Sequence, residues 1–84
     1  MKKQYLFHKF NSSVLNFTAY HEQEEMMLVS FNSGAVWMYY GVSVEVFKSF
    51  TSAKSSGQFF NKNIRHQYHD ECLHKEGATF VEKT

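Results

Sequence analysis

The fold of this chain is decided by the stretch Gly34-Ala35-Val36-Trp37-Met38-Tyr39-Tyr40-Gly41-Val42. It places three large aromatic side chains on one short segment directly after a glycine, a composition that predicts a β-strand following a turn. An aromatic strand can be a platform on which bases stack, or it can be part of a hydrophobic core. The face on which these rings lie therefore decides where a partner would bind.

Two further strands are predicted upstream of this stretch. Residues 14–20 and residues 26–31 both alternate between apolar and polar side chains, as expected of half-buried strands. The apolar faces consist of Leu15, Phe17 and Ala19 in the first strand and Met27, Val29 and Phe31 in the second. Residues 21–25 between them are polar and acidic and predict a solvated turn.

Two helices are predicted after the strands. Ser43 is a plausible N-cap, and Glu45 lies in the first turn, where a negative charge is favoured by the helix dipole. The segment Ser55-Ser56-Gly57 separates this helix from a second one. The apolar positions at helical spacing are Val46, Phe47, Phe50 and Ala53 in the first helix and Phe60, Ile64 and Tyr68 in the second. The predicted fold class is α+β, a three-stranded antiparallel β-meander packed against two C-terminal helices.

The turn before the aromatic strand sets its register. A three-residue loop, Asn32-Ser33-Gly34, places only Gly34 in the left-handed region and forms a G1 bulge. The resulting pairs are Phe31 with Ala35, Val29 with Trp37, and Met27 with Tyr39. A two-residue type I′ turn would require a positive φ at Ser33 and would place the aromatic rings on the other face. We favour the bulged turn, which directs Trp37 and Tyr39 into the core beneath the helices.

The opposite face of the sheet is unusually apolar for a surface in contact with solvent. This register assigns to it Leu28, Val36, Met38 and Tyr40. Apolar patches of this kind are typical of interaction sites. We therefore expect a protein partner, a homodimer, or cover by a terminal segment on this face.

Charge is unevenly distributed along a nearly neutral chain. Nine basic and eight acidic side chains give a net charge of +1 over 84 residues, so total charge neither favours nor excludes nucleic acid. The formal charges between residues 20 and 47 are all acidic, and those between residues 48 and 69 are all basic. The acidic residues are Glu22, Glu24, Glu25 and Glu45, and the basic ones are Lys48, Lys54, Lys62 and Arg65.

The predicted second helix carries the candidate nucleic-acid-binding residues. On a helical wheel, Lys62, Arg65, His66 and His69 share an arc opposite the apolar stripe. Lys54 lies shortly before this helix. Arginine binds phosphate as a bidentate fork and lysine as a point charge, although an ordinary solvated helix face has the same composition. This face predicts RNA or DNA as a partner.

The sequence predicts neither a metal site nor an enzyme. His66, His69, Cys72 and His74 have metal-binding chemistry, but their spacing matches no strong zinc motif. Arginine and histidine can cleave RNA by acid–base chemistry, yet nothing here identifies a nucleophile and its base. We expect a non-catalytic module without a cofactor.

A cytoplasmic location is expected from cysteine usage and from the absence of a long apolar run. Cys72 is the only cysteine, which excludes an internal disulfide. No apolar stretch of the sequence is long enough to cross a membrane.

These motifs together resemble the KTSC domain, a short bacterial and phage module that also occurs at the C-terminus of some lysyl-tRNA synthetases. The matching positions are Ser12-Ser13-Val14-Leu15, Tyr20, Val29, Phe31, Gly34, Trp37, Tyr39, Val42, Ala53, Ser55, Gly57, Phe59-Phe60-Asn61, Ile64-Arg65 and Tyr68. Two positions depart from the family pattern. The tyrosine–any–tyrosine element of the family is Trp37-Met38-Tyr39 here, and Ser43 replaces a proline. The resemblance implies RNA binding, through the synthetase context.

The resemblance also divides the chain into three parts. We expect an N-terminal arm or edge strand over residues 1–11, the KTSC-like domain over residues 12–70, and a C-terminal tail over residues 71–84. In the tail, Thr79-Phe80-Val81 is expected to form a short strand or a frayed end. The expected function is a small binding module that contacts nucleic acid through its basic helix face. The alternative is a protein–protein interaction module, or a small regulator or inhibitor, that uses the apolar sheet face.

Overall fold

The structure, a computed structural model, describes residues 5–75 as a five-stranded antiparallel sheet and two helices. The strands are β1 (Tyr5–Lys9), β2 (Leu15–His21), β3 (Met26–Phe31), β4 (Val36–Tyr40) and β5 (His69–His74), and the helices are α1 (Val44–Ser52) and α2 (Ser56–Asn63). The strand order in the sheet is the order in the chain, β1-β2-β3-β4-β5. Both helices therefore lie in the connection between β4 and β5.

The α+β class is confirmed, but the prediction of a three-stranded sheet is wrong, because the sheet has five strands. The predicted strands correspond to β2, β3 and β4. For the N-terminal segment, an arm or an edge strand was predicted, and the structure has the edge strand β1, which pairs with β2. The missed strand is β5, whose side chains are mostly polar. It forms along the free edge of β4, whose backbone N–H and C=O groups need partners. The helices are consequently followed by a strand and do not end the fold.

The predicted boundary between the domain and the C-terminal tail, at residue 71, falls within strand β5. Residues 71–74 belong to that strand. The strand suggested at Thr79-Phe80-Val81 lies outside the residues that the structure describes.

The turn between β3 and β4 is the bulged three-residue loop. Gly34 has a φ of 103°, and its N–H donates to the Phe31 carbonyl at 3.0 Å. The Phe31 N–H donates to the Ala35 carbonyl at 2.9 Å. The register pairs Val29 with Trp37 and Met27 with Tyr39. The predicted register is confirmed, and both aromatic rings lie on the sheet face that packs against the helices.

Two serine caps begin the helices, and α2 is shorter than predicted. The Ser43 hydroxyl accepts from the Val46 N–H, as expected, and the Ser55 hydroxyl accepts from the Gln58 N–H, both at 3.3 Å. The prediction that the second helix continues to Tyr68 is wrong, because α2 ends at Asn63. The chain reverses shortly afterwards at His66, whose φ is 63°. In residues 5–75, no helix is long and apolar enough to cross a membrane.

The core lies between one sheet face and the two helices, and aromatic rings dominate it. Phe50 of α1 is fully buried, and its ring centroid lies 4.9 Å from that of Phe10. Tyr20 stacks on Phe47 at 4.8 Å, and its hydroxyl donates to a carbonyl of the segment before α1. The core residues are Phe10, Leu15, Tyr20, Met27, Val29, Tyr39, Val42, Phe47, Phe50, Phe60 and Ile64. This packing holds α2 over β4 and so creates the pocket described next.

Candidate functional site

A pocket of about 530 Å³ opens between the helix-side face of β4 and α2. We call it the β4–α2 pocket. Its floor comes from Trp37 and Tyr39 of β4, and one wall comes from Gly57, Phe60 and Asn61 of α2. The other walls are the β3–β4 loop, the segment before β2, and the turn between α2 and β5. Its volume falls within the range of small-ligand sites in proteins.

The aromatic lining contains three rings that pack on one another and one that does not. The Phe60 ring meets those of Phe31 and Tyr39 edge-on, with centroid distances of 5.3 and 5.8 Å. Trp37 is half-buried and packs against the core. Within residues 5–75, however, no aromatic ring pairs with its indole. Trp37 is therefore the ring of this pocket on which a planar ligand can stack.

The polar lining combines a cation, an anion and a neutral phenol. Arg65 is exposed, and Asp70 on β5 is half-buried opposite Tyr39. Burial raises the pKa of Tyr39 to about 12; the Asp70 carboxylate adds to this shift and Arg65 opposes it. The Tyr39 phenol is therefore protonated near neutral pH and can donate a hydrogen bond.

The end of α2 positions Arg65 and His66 at the pocket. The N–H groups of Ile64 and Arg65 both donate to the Phe60 carbonyl, at 3.0 and 2.8 Å. The Gln67 N–H then donates to the Ile64 carbonyl at 3.0 Å, which closes a tight turn around the positive φ of His66. This turn brings both side chains to the pocket.

Hydrogen bonds tie the segment before β2 to the β3–β4 loop and so hold the far wall. The Ser12 hydroxyl accepts from the N–H groups of Val14 and Leu15, at 3.0 and 3.1 Å. The Asn32 side chain donates to the Ser12 carbonyl at 2.9 Å, and its N–H donates to the Val14 carbonyl at 2.8 Å. Residues of this wall were not singled out as a site from the sequence. The only signal for them was the family motif at Ser12-Ser13-Val14.

The candidate nucleic-acid-binding residues do not form one helical arc, because α2 ends at Asn63. Arg65 and His66 line the β4–α2 pocket. Lys54 and Lys62 flank a shallow depression on another side of α2. His69 lies on the far face of the sheet beside Tyr40, with ring centroids 5.4 Å apart. Four of the five residues thus surround α2, and His69 is separate.

The candidate protein-interaction residues lie together on the sheet face that points away from the helices, which we call the outer sheet face. Leu28 pairs with Met38 at its centre, and Val36 and Tyr40 flank them on β4. Strand β1, which was not counted in the predicted sheet, extends this face with the exposed rings of Tyr5 and Phe7 (61% and 64% exposed). At the β5 edge the Tyr40 hydroxyl donates to Glu71 at 2.7 Å, which raises the pKa of Tyr40.

The four residues with metal-binding chemistry are not brought together. Cys72 pairs with Trp37 on the helix side, whereas His69 pairs with Tyr40 on the outer sheet face. Among residues 5–75, no three histidine, cysteine, aspartate or glutamate side chains are grouped so as to hold a metal ion.

Comparison with known proteins defines the class to which this fold belongs. The family model of the KTSC domain matches residues 11–68, and the chain belongs to the KTSC domain family. A protein from Tsukamurella paurometabola is 32% identical over 62 residues, covering 74% of this chain and 92% of its own length. The crystal structure of a KTSC domain protein from Yersinia pestis superposes with a TM-score of 0.76 at 24% identity, over 83% of this chain and 99% of that one. That protein shares the fold.

Most of the residues that carry the KTSC resemblance have one of two locations in the structure. One group, including Tyr20, Val42 and Ile64, is buried in the core. The members of the other group line the β4–α2 pocket, and they are Ser13, Val14, Phe31, Trp37, Tyr39, Gly57, Phe60, Asn61 and Arg65. The pocket is therefore built largely from the motif that defines the resemblance.

Proposed function

We propose that this KTSC domain is a non-catalytic module that binds nucleic acid, RNA in particular, through the basic side chains around α2. The observation that carries the proposal is the position of Arg65 and His66 at a pocket with aromatic walls, in the turn that directly follows the helix of Lys62. Proteins that bind unpaired RNA combine cationic side chains with aromatic surfaces in this way. Lys54 extends the cationic surface at the other side of α2.

The separation of acidic and basic groups supports this surface. Glu22 to Glu25 form the β2–β3 turn, and the Val42 N–H donates to the Glu25 carbonyl at 2.9 Å. Glu45, in the first turn of α1, follows closely after Val42. These four glutamates thus lie at the end of the sheet where α1 begins, whereas Lys54, Lys62 and Arg65 are exposed around α2, with Asp70 as the anion of the pocket beside them.

Reversing two of these charges is expected to weaken RNA binding strongly. In the variant Lys62→Glu with Arg65→Glu, affinity for a single-stranded RNA should fall about 10- to 100-fold at about 0.1 M salt, because two phosphate contacts are lost. The slope of log affinity against log salt should become shallower by about 1.4. Fluorescence anisotropy with a labelled oligonucleotide at several salt concentrations measures both quantities.

A matched control separates a local surface from net charge. Lys9 and Lys48 are exposed elsewhere, on β1 and α1. The double variant Lys9→Glu with Lys48→Glu changes the net charge by the same amount and should retain most of the affinity. If both double variants lose affinity equally, or if no oligonucleotide binds the unmodified chain, the proposal is wrong.

The outer sheet face supports a second candidate function, protein interaction. Both helices pack on the other face, and β1 adds the exposed Tyr5 and Phe7 to the apolar positions on β3 and β4. Contiguous apolar surface of this kind is typical of protein–protein contact. Self-association is the form of this function that the chain alone can test.

Introducing a carboxylate into the outer sheet face should disrupt such an association. Phe7→Asp or Met38→Asp is expected to raise the dissociation constant of a dimer by about tenfold or more, since an unpaired charge is costly in an apolar interface. Sedimentation over a range of protein concentrations measures it, with Lys62→Glu as the control that should leave it unchanged. A chain that stays monomeric at every concentration would contradict self-association.

We further propose that the module works in the cytoplasm. Cys72 is a free and exposed thiol. Such thiols persist in reducing compartments, where disulfides are rare.

A further inference from the structure

Gly57 is a glycine that the fold itself does not require. It lies in the first turn of α2, and its φ is outside the left-handed region. A Cβ built at this position meets no heavy atom within 4 Å. Glycine within a helix costs about 0.5–1 kcal/mol relative to alanine, so alanine would be the more stable residue. Glycine is also used where a ligand approaches the backbone closely, and Gly57 lines the β4–α2 pocket.

Trp37 gives the same pocket a planar surface. No aromatic ring among residues 5–75 stacks on its indole. Phe31 and Tyr39 are instead held edge-on by Phe60. The indole is kept in place because it packs against the core on one side. A flat ligand entering beside Gly57 would therefore stack on Trp37.

The charges at the pocket indicate what the flat ligand carries. Arg65 is an exposed cation whose guanidinium geometry suits a phosphate group. Asp70 is a half-buried anion whose carboxylate can accept hydrogen bonds from an amino group, a ring N–H or a ribose hydroxyl. A nucleotide combines these features, since it has an aromatic heterocycle, hydrogen-bond donors and a phosphate.

We infer that the β4–α2 pocket holds one unpaired nucleobase, stacked on Trp37 beside Gly57, with its phosphate at Arg65. This inference rests on the proposed nucleic-acid binding and adds the unit that is recognised. A base within a duplex is stacked and paired and cannot enter such a pocket. The pocket therefore selects single-stranded over double-stranded nucleic acid.

The chain contains its own reporter for this test, because Trp37 is its only tryptophan. Its fluorescence can be followed while adding a single-stranded RNA hexamer, a duplex of the same sequence, or 5′-mononucleotides. We expect saturable quenching by the single strand. The affinity for the duplex should be at least about tenfold lower than that for the single strand, because one stacked base contributes roughly five- to a hundredfold in affinity. The duplex should also leave the fluorescence of Trp37 nearly unchanged.

Two substitutions at Gly57 provide a matched pair. Gly57→Leu places a branched side chain in the pocket mouth, and it should lower single-strand affinity about tenfold and abolish the quenching of Trp37. Gly57→Ala adds only a methyl group at the mouth and should lower single-strand affinity less than Gly57→Leu does, since the obstruction grows with the size of the side chain. Both variants are expected to fold, since there is free space around this position, and circular dichroism with thermal melting verifies that they do.

The outcomes separate this inference from the proposed function. If Gly57→Leu binds the single strand as well as Gly57→Ala does, or if single strand and duplex bind equally, the pocket assignment is overturned while nucleic-acid binding stands. If mononucleotides quench Trp37 but no oligonucleotide binds, the pocket assignment is supported, with a free nucleotide as the ligand. The proposed function is then overturned. If neither binds, both are overturned.

Discussion

Replacing Phe50 with alanine is expected to lower the free energy of unfolding by about 3–5 kcal/mol. The side chain is fully buried (0% exposed). Its ring lies 4.9 Å from that of Phe10, 5.9 Å from Phe59 and 6.2 Å from Phe60. Truncation removes all three ring contacts and leaves a cavity where sheet, α1 and α2 meet, and such cavities collapse only partly.

The loss is large compared with the total stability of small domains, which is about 5–15 kcal/mol. Because Phe59 and Phe60 lie on α2, the same change loosens the helix that carries Gly57 and Asn61, and nucleotide binding should weaken with it. Urea unfolding followed by circular dichroism measures the stability. Leu73→Ala is the control, since Leu73 is 48% exposed on β5, and it should change stability by less than about 0.5 kcal/mol. A loss of similar size in both variants would contradict this account of the core.

Raising the pH is expected to destabilise the fold through Tyr39, by about 2–3 kcal/mol between about pH 9 and pH 12. Burial raises the pKa of Tyr39 to about 12, with a further contribution from Asp70. In the unfolded chain a tyrosine titrates near pH 10. The unfolded state therefore loses its proton first, and the stabilisation that is complete below about pH 10 disappears as the pH rises through about 12.

The variant Tyr39→Phe isolates this contribution. It should be nearly as stable as the unmodified chain at high pH and should show a much weaker alkaline decline. Part of the decline should remain, because burial also raises the pKa of Tyr20. Urea unfolding at a series of pH values provides the comparison. If Tyr39→Phe and the unmodified chain decline in parallel, the phenol is not the group responsible.

The three central strands and the start of α1 were predictable because local chemistry specifies them. The period-two pattern of β3 matches its burial. The predicted apolar face of β2 is wrong beyond Leu15, because a bulge between Leu15 and Phe17 shifts the alternation and turns Thr18 and Tyr20, not Phe17 and Ala19, toward the core. The turn Asn32-Ser33-Gly34 has one glycine where one positive φ is needed, and this set the register that places Trp37 and Tyr39 beneath the helices. Ser43 caps α1 as expected.

The edge strands and the end of α2 were harder to predict because distant contacts decide them. The polar sequence of β5 is a strand only because β4 has a free edge beside it. Residues 60, 64 and 68 are spaced like a helical stripe. The positive φ at His66 nevertheless turns the chain, and Tyr68 packs against the core from outside the helix.

Some features of the candidate site likewise follow from local sequence, and others follow from distant contacts. Local properties of the sequence, namely composition, spacing and turn chemistry, were enough to predict the family, the buried orientation of the aromatic strand and the cationic character of the segment around α2. The three-dimensional fold was needed to show that Arg65 joins Trp37 and Gly57 at one pocket while His69 lies on the outer sheet face. That grouping depends on how α2 packs over β4 and on where the chain reverses, and contacts between segments far apart in sequence set both.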